Sequence, residues 1–321
     1  MKCSIRIVAA VVGSLAVCAV QAQAYPAKPV RLVVPIAPGG GTDIIARMIA
    51  LKAGEGLGQQ IVVDNRPGAG GIIGTEVVAK SPGDGYTLLL TPTSHAINPS
   101  LYAKLPYDTV KDFAPVSLAL SVTTVFVAHP SLPVRTVKDV VALAKAKPGE
   151  MAFGSAGNGH IFHLTGEIFK TTAGLTMIHV PYKGGAPAIT ALMGGEVAVL
   201  FETMLALQPF MQSGRVRPIA VASAQRSPLM PQLPTFAESG YPGVVAANWY
   251  GFFAPAGTPK ETVARLNAEI TRALKSPDIQ GKLLPQGSEI IAGTPDQLGE
   301  FMRTELVKWA KAARDSGAKI D

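Results

Sequence analysis

A glycine-rich turn recurs between apolar runs and helical patterns, and this alternation limits the fold more than any other feature of the chain. The first instance is the plainest. An apolar run at 30–36 leads into Pro38-Gly39-Gly40-Gly41-Thr42-Asp43, and a helical pattern follows with Ile44, Ile45, Met48 and Ile49 on one face. Glycine lets the backbone turn sharply and approach a guest closely. A helix start offers free N–H groups and the positive end of the dipole. A strand, a glycine turn and a helix start together make an anion seat.

Four more turns have related chemistry. Asn65-Arg66-Pro67-Gly68-Ala69-Gly70-Gly71 follows the second apolar run, and Thr91-Pro92-Thr93-Ser94 the third. Gly154-Ser155-Ala156-Gly157-Asn158-Gly159 and Tyr182-Lys183-Gly184-Gly185-Ala186-Pro187 each follow a strand-like run and open a helical pattern. Five such turns in one chain read as the mouth of a binding cleft. The strand-like runs are continuously apolar, as in parallel sheets covered by helices on both faces. The expected class is α/β, doubly wound, with ligand at the carboxyl ends of the strands. After about residue 250 helices dominate, and this tail is expected to fold back onto the first domain. Thr258-Pro259 and Thr294-Pro295 each read as an N-cap followed by proline at the first helical position.

The first 24 residues read as an export signal: Lys2 and Arg6, an apolar stretch at 7–20, then Ala22-Gln23-Ala24 as the cleavage site. A periplasmic location follows. No later apolar run is long enough for a membrane helix. Both cysteines, Cys3 and Cys18, fall inside this leader, so no disulfide or thiolate metal site is expected in the mature chain. The remainder is long enough for two domains. At 48% hydrophobic and 16% charged residues, the full chain has the composition of a packed globular protein. Loss of Lys2 and Arg6 lowers the formal charge from +7 to +5, with no dense basic cluster. No nucleic-acid partner is expected of such an exported chain.

Several chemistries fail on detail. A P-loop needs Gly-Lys followed by Ser or Thr, whereas Gly41 precedes Thr42-Asp43. The glycines around Ser155 have the wrong spacing for a dinucleotide fingerprint. A nucleophile elbow needs glycine two residues before the serine, and Phe153 stands there. Ser155 therefore reads as a hydrogen-bond donor to ligand. His160, His163 and Glu167 suggest no third metal ligand, and no cofactor is expected. With Thr42 as N-cap, Asp43 would sit at the first helical position, either supporting the dipole or touching ligand. Arg66 could grip a ligand carboxylate or clamp Asp64. Trp249 and Tyr250 could pack the core or line the cleft.

Taken together the motifs resemble the Bug (TctC-like) periplasmic solute-binding proteins of tripartite tricarboxylate transporters. The resemblance rests on Tyr25-Pro26, Pro38 to Asp43, Asn65 to Gly71, Pro82-Gly83-Asp84-Gly85-Tyr86, Val180 to Gly185, Pro234-Thr235-Phe236-Ala237-Glu238 and Ala254 to Pro259. It implies two α/β domains of Venus-flytrap architecture, domain 1 at 25–125 plus 248–321 and domain 2 inserted at 126–247. It also implies a monomeric receptor that takes a small organic carboxylate to membrane transporter components. Ligand contacts then map to Pro38, Gly39, Gly40, Gly41, Thr42 and Asp43, with Thr93 and Ser94. The second domain adds Ser155, Gly157, Asn158, Gly159, His163, Tyr182, Lys183, Gly184 and Pro187. Many relatives carry an Asp-Asn pair after the strand at 197–201, where this chain has Glu202-Thr203. Glu202 and the segment His160-Ile161-Phe162 are thus expected to bear on specificity. An exported hydrolase using Ser155 with a histidine, or a receptor serving a sensor, are the alternatives.

Overall fold

The computed structural model describes residues 25–316, and the expected leader at 1–24 lies outside the described residues. The first elements are β1 (Val30–Val34), α1 (Gly41–Leu57), β2 (Ile61–Asn65), α2 (Ile72–Ala79), β3 (Thr87–Pro92), α3 (Ser94–Leu101) and β4 (Phe113–Ala128). There follow α4 (Val137–Ala146), β5 (Ala152–Ser155), α5 (Ile161–Ala173), β6 (Ile178–Pro181), α6 (Gly185–Met193), β7 (Val199–Thr203), α7 (Met204–Gln212) and β8 (Arg217–Val221). The described residues end with β9 (Ala247–Pro255), α8 (Lys260–Leu274), α9 (Pro277–Leu283), β10 (Ser288–Ile290) and α10 (Pro295–Ser316).

The strands run in the order β2-β1-β3-β9-β4-β7-β5-β6, with β10 and β8 also pairing on β4. β1 pairs in parallel with β2 and β3, and β5 in parallel with β6 and β7. The expectation of parallel sheets holds for these two groups. It fails in between, where β9 is antiparallel to β3 and β4, and β4 is antiparallel to β7. The reason is the path of the chain: β4 leaves the first group of strands and β9 returns to it, so they run in opposite directions. Residues 113–123 of β4 pair with β9 and residues 124–128 with β7, so this 16-residue strand belongs to both lobes.

Helix faces follow the apolar pattern. α1 buries Ile45, Ile49, Ala53 and Leu57 and ends on Gly58, at φ 71°. The second lobe is filled by aromatic rings. Phe126 stacks on Phe201 at 4.5 Å, and Phe169 and Phe236 close around them. Each ring is fully buried, which stabilises by roughly 1.5–3 kcal/mol per side chain. The tail folds back as expected, with α8 packed on α1 and α10 on α3. Glu305 of α10 accepts from the indole N–H of Trp249 at 2.8 Å and of Trp309 at 2.7 Å.

Two caps differ from expectation. The N-cap of α1 is Gly40, not Thr42, so the helix begins at Gly41 and Asp43 occupies its third position. From there the Asp43 carboxylate reaches back to the Gly39 N–H, one residue before the N-cap. α8 begins after Pro259 rather than at it. Thr294 caps α10 as expected, in a reciprocal pair with Gln297.

Candidate functional site

The glycine turns of the two lobes meet face to face. Ala37 donates its N–H to the Lys183 carbonyl at 3.0 Å, joining the β1–α1 turn to the β6–α6 turn. A Cβ on Gly40 would lie 3.3 Å from the Gly185 nitrogen, and one on Gly41 only 2.6 Å from the Thr203 hydroxyl. On the far side Gly70, at φ 62°, abuts the Asn158 carbonyl, which Tyr102 also reaches with its hydroxyl at 3.4 Å. A Cβ on Gly70 would take the space of the Asn158 backbone and one on Gly41 that of the Thr203 hydroxyl, whereas one on Gly40 would need only a small shift of the α6 start.

Two neighbouring spaces with shared lining residues lie between these turns. The outer chamber has a volume of about 320 Å³ and is lined by Gly70, Tyr102, Gly157, Asn158, Tyr182 and Lys183, among others. The inner pocket is far smaller, about 10 Å³ as traced by the centre of a water molecule. Gly40, Gly41 and Thr42 of the α1 start and Gly185 of the α6 start line it together with Phe162, Glu202, Asn248 and Tyr250. Ile36, Ala156 and His160 border both spaces.

Glu202 is the one acidic side chain at the inner pocket, and it is 2% exposed. Its Oε1 accepts from the Thr203 N–H at 2.7 Å and the Thr203 hydroxyl at 3.0 Å. Among the described residues no hydrogen bond reaches Oε2, and no cation pairs with the carboxylate. Oε2 faces the start of α6, where a Cβ on Gly185 would collide with it. Burial pushes the Glu202 carboxyl up to about 7, against which the two Thr203 bonds act in the opposite sense. Tyr250 is fully enclosed beside it; burial, then the Glu202 charge, raises its phenol. Burial brings the His160 imidazole down to about 3, so it stands neutral at the pocket.

The expected contact residues separate into groups. Gly40, Gly41, Thr42 and Glu202 meet at the inner pocket, and Gly157, Asn158, Tyr182 and Lys183 at the outer chamber. Pro38 and Gly39 are exposed at the rim, and Gly184 is buried against Ile36 and Ala37. Gly159 packs on Asn98 of α3, and Pro187 lines neither space. Thr93 and Ser94 are buried beneath the cleft. The Thr93 hydroxyl accepts from the Trp249 N–H at 3.0 Å and so fastens β9.

Ser155 is wholly buried, with its hydroxyl 2.7 Å from Nε2 of His179 and accepting from the Gly157 N–H at 3.1 Å. It does not line either space. His163 stacks on His179 with ring centres 4.0 Å apart, and its Nδ1 receives the Gly159 N–H at 3.4 Å. Both residues shape the turn from below. Asp43 is likewise engaged. Its carboxylate accepts from the Gly39 N–H at 2.9 Å, Arg47 at 3.0 Å and Asn65 at 3.0 Å. Burial opposes its charge, and the bonds from Arg47, Gly39 and Asn65 nonetheless hold the carboxyl below the ordinary range. Arg66 clamps Asp64, with its Nε 3.1 Å from both carboxylate oxygens.

Asn248 is a cleft residue that the sequence reading does not name, and Tyr250 is one that it leaves open between core and cleft. They stand two apart on β9, and strand side chains alternate between faces. Hence Asn248 and Tyr250 line the pocket while Trp249 enters the core, where it reaches Glu305. Reading 247–255 as a strand would have separated them. Among the described residues no three His, Cys, Asp or Glu side chains group to hold a metal. No helix among them is long and apolar enough to cross a membrane.

A two-lobed fold with facing glycine turns at a central cleft has the architecture of a solute-binding receptor. The model of the tripartite tricarboxylate transporter family receptor matches residues 45–317, and the chain belongs to this periplasmic solute-binding family. It is 41% identical over 303 residues to Protein BugT of Bordetella pertussis, spanning 94% of this chain and 93% of that one. The structure of the periplasmic binding protein BugD superposes with a TM-score of 0.89 at 34% identity, over 92% of this chain and 99% of that one. The R. palustris protein Rpa4515, solved with adipate, gives 0.89 at 38% identity, over 92% and 100%.

Proposed function

We propose that this chain captures a small organic carboxylate in the cleft between its lobes and delivers it to the membrane components of a tripartite transporter. The observation that carries the reading is the convergence of the α1 and α6 starts on one enclosed space, at Gly40–Thr42 and Gly185. Helix starts favour a negative group through their free N–H groups and dipoles. The adipate held by Rpa4515 supports the same ligand class. In this reading Gly157, Asn158, Tyr182 and Lys183 accommodate the body of the ligand in the outer chamber. The lobes divide as 25–125 with 248–321, and 126–247. The leader is cleaved after Ala24, and the receptor works as a periplasmic monomer.

A thermal-shift screen of the mature protein with dicarboxylates, tricarboxylates, aromatic acids and amino acids tests this. A ligand at about 100 times its dissociation constant stabilises by roughly 2.7 kcal/mol. At least one carboxylate is expected to give such a shift. No shift from any carboxylate would remove the proposal. Delivery is tested separately, by loss of uptake of that compound when the gene is deleted.

A further inference from the structure

An acid stands at the pocket where a negative group is expected to bind. Glu202 is 2% exposed and lines the same space as the starts of α1 and α6. Two carboxylates that share one enclosed site repel, and both do not stay ionised there. A protonated carboxyl removes the repulsion and supplies an O–H donor. The bonding of Glu202 decides which oxygen carries that proton. Oε1 accepts from the Thr203 N–H at 2.7 Å and the Thr203 hydroxyl at 3.0 Å, so its lone pairs are engaged. Oε2 has no hydrogen bond among the described residues and faces the α6 start, where a Cβ on Gly185 would collide with it. The free oxygen is thus the one turned toward the anion seat.

We propose that Glu202, protonated at Oε2, donates a hydrogen bond to the ligand carboxylate at the inner pocket, directly or across one water, so that the receptor binds ligand and proton together. This rests on the carboxylate-receptor reading and deepens it. The ligand enters as an anion, and an ionised Glu202 takes its proton from solvent as the ligand arrives. The inner pocket, about 10 Å³, takes one oxygen-sized group, and the rest of the ligand lies in the outer chamber. Burial already pushes the Glu202 carboxyl up to about 7, so protonation at neutral pH is cheap. The surroundings leave Glu202 as the group that titrates. β4, β5, α6 and α7 pack on β7 and carry no ionisable side chain. On α5, Glu167 pairs with Lys170, His163 stacks on His179, and His160, at the helix start, is held down to about 3. On α1, Asp43 is held by Arg47. The Tyr250 phenol of β9 is raised by its burial. Lys183 lines the outer chamber, and no lysine or arginine lines the inner pocket.

Isothermal calorimetry of the mature protein tests the proposal between pH 6.5 and pH 9. The probes are succinate, malate, adipate and every further carboxylate that shifts the melting curve; their carboxyls are ionised throughout that range. Affinity is expected to fall by about ten-fold or more across it, the limit for one linked proton being about ten-fold per pH unit. Titrations at pH 8 in buffers of different ionisation enthalpy are expected to show uptake of more than about half a proton per ligand. In E202Q the Thr203 bonds claim the amide oxygen, so the amide nitrogen takes the place of the protonated Oε2. That variant is expected to bind with no proton uptake, with an affinity constant to within about three-fold over the range, and more tightly than wild type at pH 9. Wild-type affinity that is flat with pH, with no proton taken up, overturns the proposal without any variant. So does a pH dependence that persists in E202Q, or weaker binding by E202Q than by wild type at pH 9. In each of these cases a carboxylate still binds and the receptor reading stands. If no carboxylate binds at any pH, both fall.

Discussion

The hydroxyl of Ser155 lies 2.7 Å from Nε2 of His179, inside the second lobe and beneath the turn that borders the cleft. The pair has the atoms of a nucleophile and its base, yet neither residue lines the cleft spaces. The same oxygen also receives the Gly157 N–H, so it holds the turn in shape. Ser155→Ala is expected to leave Gly157 N–H and His179 without that partner and to cost about 1–3 kcal/mol. Urea denaturation measures the loss. Ester turnover by the wild-type protein that disappears in the variant would instead revive the hydrolase alternative.

Glu202 gives a pH signature of its own. Its carboxyl stands at about 7 in the folded protein against an ordinary 4.5, so between those values the folded state holds a proton that the unfolded chain has released. Stability from this group is full below about pH 4.5 and is lost as pH rises to about 7. Glu202→Gln, which cannot ionise, is expected to raise Tm at pH 8 and leave it nearly unchanged at pH 4. The gain has an upper limit of about 3 kcal/mol. Melting curves of both proteins across this range make the comparison, and a lower Tm for the variant at pH 8 would contradict it.

The buried histidines act in the opposite direction. Burial takes His95, His160 and His179 down to about 3 from 6.5. Below about pH 6.5 the unfolded chain takes up protons that the folded protein refuses, so stability falls with acidification. His95 is the cleanest case: burial dominates over the opposing Thr109 backbone contact, and the ring lies among Tyr107, Phe113 and Phe253. His95→Phe is expected to reduce the fall in Tm between pH 6.5 and pH 5 while preserving the aromatic contacts. An unchanged pH slope would contradict the assignment.

Gly70 tests the approach of the lobes. Its φ of 62° is unfavourable for other residues, and a Cβ there would meet the Asn158 carbonyl. Gly70→Ala is expected to hold the lobes apart, with a larger radius of gyration by small-angle scattering and at least ten-fold weaker ligand binding. An unchanged radius together with unchanged affinity would show that the contact does not govern closure.

Asp43 shows where reading the sequence alone stops. The strand, turn and helix around it were legible from local pattern, because apolar period and glycine content mark those elements directly. Its role was not, because Arg47, Asn65 and the Gly39 N–H become its partners only when the turn folds. Asp43→Ala should cost about 1–3 kcal/mol through those lost bonds. In the sequence Tyr250 stays open between core and cleft, because its neighbours Trp249 and Phe252 are also large and apolar and composition alone does not separate the two faces of the strand. Glu202 stood out by type, but its lack of a partner is a tertiary fact. The length of β4 was similarly invisible, since its first half borrows neighbours from β9 and β10, far along the chain.

That continuous β4 has a mechanical consequence. A joint made of loops would let each lobe swing as a separate body. Here the residues on either side of the junction, Thr123 and Thr124, are consecutive within one strand and are paired to β9 and β7 respectively. Movement of the lobes therefore passes through a strand that is hydrogen-bonded on both sides of the junction. The trajectory open to the cleft is accordingly narrow, and heating should disrupt both lobes in a single cooperative step.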